Sequence, residues 1–450
     1  MRARRLELKA DPAETFYRIY DEFGDCFLLE SLGRGRLSSF SYLGFSPVSF
    51  IRLNHSKLSI TKDGRDVYNT EVSEPLETLR KAVSSRPGLP KNGFFGGLVG
   101  YISYDSVRYW EDIDASGSRP SPFPEMEFGV FDDWIVFNHR EKTVHYVTLG
   151  EDRYEQVKRL LCQSSELATF RFSSKQSSFS DDEFLDGILK AKEYISRGDI
   201  FQVVLSRRYE YRYEGDLRPV YQVLRRNNPS PYMFFIKFNK RQLVGSSPEM
   251  LVKVQEGVVE TYPIAGTRRR SDDLNEDAQL RRELLKDQKE RAEHIMLVDL
   301  ARNDIGKVSR FGTVKVRKLL QVRRYSHVQH LVSHVVGELA NEYDAFDALR
   351  ATFPAGTVTG APKPRAMEVI YEIERLKRGP YGGAVGYFSY NGNADFGIAI
   401  RTLFADTNRI HLQAGAGIVA DSKPESEVDE VESKLRVLYK AMREANGVSA

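Results

Sequence analysis

The sequence predicts an α+β fold built on largely antiparallel sheets, and three observations carry that reading. Residues 1–160 alternate or run apolar over strand lengths and are broken by Pro- and Gly-rich turns. From Asp181 onward helices and strands mix without the regular strand–helix–strand rhythm of a parallel sheet. The two glycine-dense runs, Phe95-Gly-Gly-Leu-Val-Gly-Tyr101 and Tyr381-Gly-Gly-Ala-Val-Gly-Tyr387, lack the spacing of a dinucleotide fingerprint, and no acidic residue closes a following unit. Their likeness hints at an internal duplication, or at a strand-and-turn solution used twice.

In chain order, Phe27–Ser31, Phe40–Phe45 and Thr143–Thr148 read as strands, with loops at 86–97 and 116–127. The polar Ser/Thr-rich stretch 163–181 reads as a link. The expected organisation is an N-terminal α+β region over 1–162 and a C-terminal region over 182–450, with some segments intertwined. Asp181–Arg197 predicts a helix stopped by Gly198, and Ile200–Ser206 a strand. Leu217–Asn227 predicts a helix that the Asn227-Asn-Pro-Ser-Pro231 run breaks, and Tyr232–Phe238 a strand. Leucines at helical spacing predict a helix over Glu276–Asp287, and the last helix spans Glu425–Asn446. The valine-rich stretch 325–339 reads as a strand with His330 and His334 on one face and His327 on the other.

At 450 residues, 41% hydrophobic and 29% charged, the chain has the make-up of a globular protein of two or three domains. A formal charge of +3 favours anionic partners only slightly and does not argue for nucleic acid. The run Arg268-Arg-Arg270 precedes Ser271-Asp-Asp273 without interleaved aromatics, so a solvated or ion-paired loop is expected there. Apolar runs such as Leu98–Ile102 fall short of a bilayer span, and the basic N-terminus has no apolar core behind it. A cytoplasmic location without membrane contact is therefore expected. Cys26 and Cys162 are too few for a disulfide framework, and both are expected reduced and buried.

Glu290 and Glu293 lie three apart in a run of helix formers, and Glu427 and Glu430 repeat the spacing in the last helix. Two such pairs facing each other would make an all-oxygen site suited to Mg²⁺; glutamates facing solvent on charged helices are the competing reading. Gly266-Thr267, Gly356-Thr357 and Gly415-Ala-Gly417 can present backbone N–H groups to an anion. Tyr381 and Arg401 are candidates to grip a carboxylate. Together these groups suit a small substrate with more than one carboxylate. No cysteine accompanies the histidines, so zinc is not expected; a single catalytic imidazole and a packed histidine both remain open.

Gly198-Asp-Ile-Phe-Gln-Val-Val-Leu-Ser-Arg207, Ser247-Pro-Glu-Met250, Pro263-Ile-Ala-Gly-Thr267, Glu290–Asp304 and His330-Leu-Val-Ser333 together resemble the chorismate-utilising enzymes, closest to their anthranilate synthase component I branch. The resemblance continues through Phe353–Lys363, Arg378–Tyr387, Ile400-Arg-Thr402 and Gln413–Asp421, and is dense over 198–434. It implies two intertwined domains with mainly antiparallel sheets packed against helices. It implies Mg²⁺ held by Glu290, Glu293, Glu427 and Glu430, partly through water. Tyr381, Arg401, Gly266, Thr267, Gly415, Gly417 and Lys434 match substrate-binding positions, and Glu249, His330 and Thr357 match catalytic ones.

The implied activity converts chorismate and ammonia to anthranilate and pyruvate through aminodeoxyisochorismate, the first committed step of tryptophan biosynthesis. Ala265 and Gln202 stand where sister enzymes carry nucleophile- or water-activating lysines, which points to amination at C2. Para-aminobenzoate-branch amination is the runner-up, and a catalytically silent chorismate or tryptophan sensor is the alternative outside enzymes. The chain has no Gly-x-Cys-x-Gly elbow, so the resemblance implies a separate glutamine amidotransferase partner, in a heterotetramer of two large and two small subunits. Leu29, Glu30 and Ser31, with Asn228, Pro231, Tyr232 and Met233, match a tryptophan feedback site in which Glu30 takes the amino group. Ser433 departs from the asparagine common in relatives.

Overall fold

The computed structural model describes residues 1–7, 11–32, 39–83, 86, 88–114, 118–163, 169–173, 175–325 and 328–447. His327 and part of the 163–181 stretch lie outside the described residues.

Two antiparallel sheets form the frame, and each takes strands from both ends of the chain. In the first, the order runs Arg2–Arg5, Thr143–Thr148, Asp133–Asn138, Phe40–Phe45, Cys26–Glu30, then Tyr232–Phe238, Arg241–Ser247, Thr402–Asp406, Arg409–Ile418, Gln202–Gly215 and Phe170–Phe172. The early and late segments join where Cys26–Glu30 pairs with Tyr232–Phe238, with Glu30 opposite Met233. In the second, Ile264–Arg269, Val328–Glu338, Val258–Thr261, Met250–Gln255, Ala394–Ile398 and Ala384–Ser389 continue into Gly97–Ile102, Met126–Phe131, Ser49–Asn54, Lys57–Lys62 and Arg65–Glu71. The two similar glycine runs meet at this second junction, Gly100 opposite Gly386, Val99 opposite Tyr387 and Tyr101 opposite Val385. A Cβ on either central glycine would stand 2.0 Å from a neighbouring strand's carbonyl oxygen, Glu127 for Gly100 and Asp395 for Gly386. The repeat therefore marks two adjacent strands under one packing constraint.

The sheets face each other across an aromatic-rich core. Phe27, Trp134, Phe238 and Phe404 from the first sheet interlock with Tyr101, Phe131 and Tyr387 from the second. Helices cover the outer faces. Pro424–Ala445 packs on Arg409–Ile418 and on the helix Arg218–Asn227, while Gln288–Gly306 packs on Ile264–Arg269 and Val328–Glu338. Among the described residues no helix is long and apolar enough to cross a membrane.

Two local expectations change. Cys26 is buried but Cys162 is exposed, because it follows the last residue of the helix Tyr154–Leu161 instead of facing the core. Arg268 and Arg269 end the strand Ile264–Arg269 instead of forming a loop, and all three arginines are ion-paired: Arg268 with Asp287 and Glu290, Arg269 with Glu276, Arg270 with Asp277.

Candidate functional site

A cleft of about 850 Å³ opens where the covering helix of one sheet meets that of the other. Asp287 ends the helix Leu274–Lys286 and caps the next one, Gln288–Gly306, accepting the Glu290 amide at 3.1 Å. Glu290 and Glu293 then project from its first turns into the cleft, and Glu427 and Glu430 project from the first turns of Pro424–Ala445 on the opposite side. The Glu293 carboxyl is raised by burial first and by Glu290 and Glu430 after it; that of Glu427 is raised by burial and by Glu430. Four carboxylates brought to one cleft by two helices, two of them raised by burial and by an acid neighbour, have a need for positive charge that fits a hard dication. Among the described residues no three His, Cys, Asp or Glu groups stand close enough to ligate one ion together, so water would have to complete the shell.

Three of these four acids have a side-chain partner close at hand. Arg268 donates to Glu290 at 2.8 Å, Gln202 Nε2 to Glu293 at 3.2 Å, and Lys434 Nζ reaches Glu430 at 2.8 Å. Lys434 also donates to the Gly415 carbonyl at 2.7 Å, which fixes Gly415 behind the lysine rather than on the cleft wall. Gly266 sits at φ +67, and a Cβ there would meet Glu290 Oε2 at 3.0 Å. A Cβ at Gly417 would meet Gln202 Nε2 at 2.7 Å. The left-handed backbone makes glycine the fitting residue at 266, and at both positions the backbone runs close to the polar ends of the acid site.

Arg401 lines the cleft from a left-handed backbone position, φ +50, and makes no ion pair among the described residues. Burial lowers its pKa. A desolvated guanidinium without a carboxylate is a receptor for one.

His330 enters from the strand Val328–Glu338, opposite Thr267. Its Nδ1 lies 2.9 Å from the Gly266 carbonyl and 3.1 Å from Thr267 Oγ1. A carbonyl only accepts, so the ring proton sits on Nδ1 and Nε2 keeps its lone pair. Burial pushes the pKa down to about 4, leaving a neutral base near neutrality. His334, on the same strand face, is committed elsewhere: it bonds Glu260 at 2.8 Å and stacks on Tyr262.

Glu249 lies just behind the cleft, on the wall of a small adjoining cavity that Thr357 also lines. Thr357 donates to its carboxyl at 2.9 Å. Burial raises the Glu249 pKa to about 7, against the opposing pull of Thr357, Lys434 and Arg401. Arg401 and Lys434 both line the main cleft and act on Glu249 through space, so the acid lies behind the wall they form.

Tyr381 differs from expectation. It is buried in the aromatic core, near Arg378, and does not line the cleft. Leu29, Glu30, Ser31, Pro231, Tyr232 and Met233 do come together, at the junction of Cys26–Glu30 with Tyr232–Phe238, while Asn228 sits on the cleft rim. The Glu30 carboxylate is already engaged there, by Arg225 at 2.9 and 3.1 Å and by the Tyr221 hydroxyl at 2.7 Å. Tyr232 Oη bonds Asp395 at 2.8 Å. Sequence reasoning missed Arg268, Lys289, Tyr325 and Lys440, all close to the acids or on the cleft wall. For Arg268 the signal was present, since acids at 287 and 290 give that arginine run a partner helix.

The family described as chorismate binding enzyme matches residues 24–440. The chain is 46% identical over 440 residues to anthranilate synthase component 1 of Methanothermobacter thermautotrophicus, covering 97% of this chain and 93% of that relative. It is 45% identical over 434 residues to anthranilate synthase component 1 of Saccharolobus solfataricus, covering 96% and 97%. Among solved structures, that of anthranilate synthase component I from Streptococcus pneumoniae superposes with a TM-score of 0.78 at 36% identity, covering 90% of this chain and 93% of that one.

Proposed function

The chain belongs to the chorismate-binding enzyme family, and from that premise we propose that it aminates chorismate at C2 and expels pyruvate to give anthranilate. The observation that carries this reading is one cleft that sets a four-carboxylate cluster beside an arginine without an ion pair among the described residues. A dianion carried on a small ring needs that pairing: a dication for one carboxylate and a guanidinium for the other.

Glu290, Glu293, Glu427 and Glu430 would hold Mg²⁺, partly through water, and the bound ion supplies a Lewis acid at the ring carboxylate. Arg401 takes the second carboxylate, with the Gly266 and Gly417 backbone close beside it. Glu249, raised to about 7, is the acid that gives its proton to the departing C4 hydroxyl as ammonia adds. Thr357 orients it. His330 Nε2 then takes the C2 proton as pyruvate leaves and the ring becomes aromatic. The adjoining position of Gln202, bonded to Glu293, and that of Ala265 offer no amine to attack the ring or activate water. Ammonia must therefore add directly.

In the same reading ammonia comes from a separate glutamine amidotransferase subunit in the cytoplasm. Residues 1–162 carry a regulatory role, with tryptophan bound at the Glu30–Met233 junction. A tryptophan ammonium would there share Glu30 with Arg225 or displace it.

Incubation with chorismate, Mg²⁺ and ammonium chloride at alkaline pH, with products resolved by chromatography and mass, tests the reading. Anthranilate and pyruvate in equal amounts, both abolished by chelator, are expected. Aminodeoxychorismate as the end product, or no turnover by folded protein, overturns it.

A further inference from the structure

We propose that Arg268 is a built-in counter-cation of the carboxylate cluster, which neutralises Glu290 until a dication arrives and then swings wholly onto Asp287. This rests on the metal reading of the cluster given above. Arg268 Nη1 donates to Glu290 Oε1 at 2.8 Å and to the Thr267 carbonyl at 2.9 Å, while Nη2 donates to Asp287 Oδ2 at 2.7 Å. The guanidinium thus bridges one acid that faces the cleft and one that sits at its edge.

The other charges near Glu290 explain why such a group is needed. Glu293, on the next turn of the same helix, has the neutral Gln202 as its side-chain hydrogen-bond partner among the described residues. Glu430 has Lys434. Arg268, the cation on Glu290, is also paired with a second carboxylate, Asp287, so it can leave Glu290 without losing its own pairing. Asp287 holds its place through Oδ1, which caps the helix by accepting the Glu290 amide, and offers the other oxygen to Arg268. The side chains of Arg268 and Asp287 are about one-third exposed, 27% and 32%, which leaves room for the movement.

The test counts bound Mn²⁺ by electron paramagnetic resonance in the full chain and its Arg268→Gln, Glu290→Gln and doubly substituted forms. Removing a competing unit charge beside the site is expected to tighten binding about 3- to 10-fold in Arg268→Gln. That gain should vanish when Arg268→Gln is made in the Glu290→Gln background, because the arginine acts through Glu290. No gain, or weaker binding, in the single variant overturns the proposal. So does an equal gain in both backgrounds, which would make Arg268 a bystander charge. Absence of saturable Mn²⁺ binding to the unaltered chain overturns the metal reading itself, and the exchange with it.

Discussion

Glu249 and Glu30 are the same side chain at similar burial, 7% and 4% exposed, and the fold uses them in opposite ways. At the junction of the early and late strands of the first sheet, Glu30 receives two bonds from Arg225 and one from Tyr221. Burial raises its carboxyl overall, with the Arg225 guanidinium opposing, and the two bonds from Arg225 pair the group inside a tie between segments almost two hundred positions apart. Behind the cleft wall, Glu249 has one hydroxyl donor, Thr357, and its nearest cations act only through space. These repay an ionised carboxylate only in part for its lost water, so the proton is held up to about pH 7. What separates a structural carboxylate from an acid catalyst is the number of donors that meet it, not how deeply it lies.

The largest expected effect removes the acid. Glu249→Gln should lower ammonia-dependent turnover of chorismate by about 10³-fold, the scale of a lost general acid. Glu30→Gln should cost less than about 10-fold in the same assay, because it touches no reacting group. Equal losses would erase the contrast. Next, Arg225→Ala leaves Glu30 buried and unpaired and should destabilise the protein by about 3 kcal/mol or more in urea unfolding. Thr357→Val removes only a hydrogen bond from a neutral acid and should cost about 1 kcal/mol.

The pH dependence of stability sharpens the comparison. Glu249 titrates at about 7 in the fold against 4.5 as its ordinary value, so the folded chain binds a proton that the unfolded chain releases. Its contribution is complete below about 4.5 and is lost as pH rises through about 7. Glu249→Gln should flatten that decline, an effect of at most about 3 kcal/mol, measured by unfolding across the window. The smallest effect is a shift in direction alone. Thr357→Val should raise the Glu249 pKa further, since the hydroxyl it removes favours the ionised form.

Much of the local structure was legible because it is locally determined. The strands Phe40–Phe45, Thr143–Thr148 and Tyr232–Phe238 have the expected bounds, and the helix expected over Asp181–Arg197 spans Asp181–Ser196 under a Ser180 capping box. Strand order was not legible, because the pairing of Leu98 with Phe388 depends on which faces bury together across most of the chain. The acid cluster was legible as two pairs at helical spacing, but only the fold sets the helices against each other. A tyrosine after a Gly-Pro turn reads alike whether it faces a ligand or a core, and the fold buries Tyr381 among aromatic side chains. Arg268 reads in the sequence as part of a solvated or ion-paired loop, and only the fold sets Asp287 and Glu290 beside it as its partners.

The central claim is that Glu249 holds its proton up to about pH 7 while the two bonds from Arg225 keep Glu30 a carboxylate, and carboxyl infrared absorption reports this directly. Difference spectra of the unaltered chain minus Glu249→Gln, taken across a pH series, isolate the one group. The account predicts a protonated C=O band that disappears with a midpoint near 7, and no such band in the matching Glu30→Gln difference. A Glu249 band already lost at pH values typical of an exposed glutamate would contradict it.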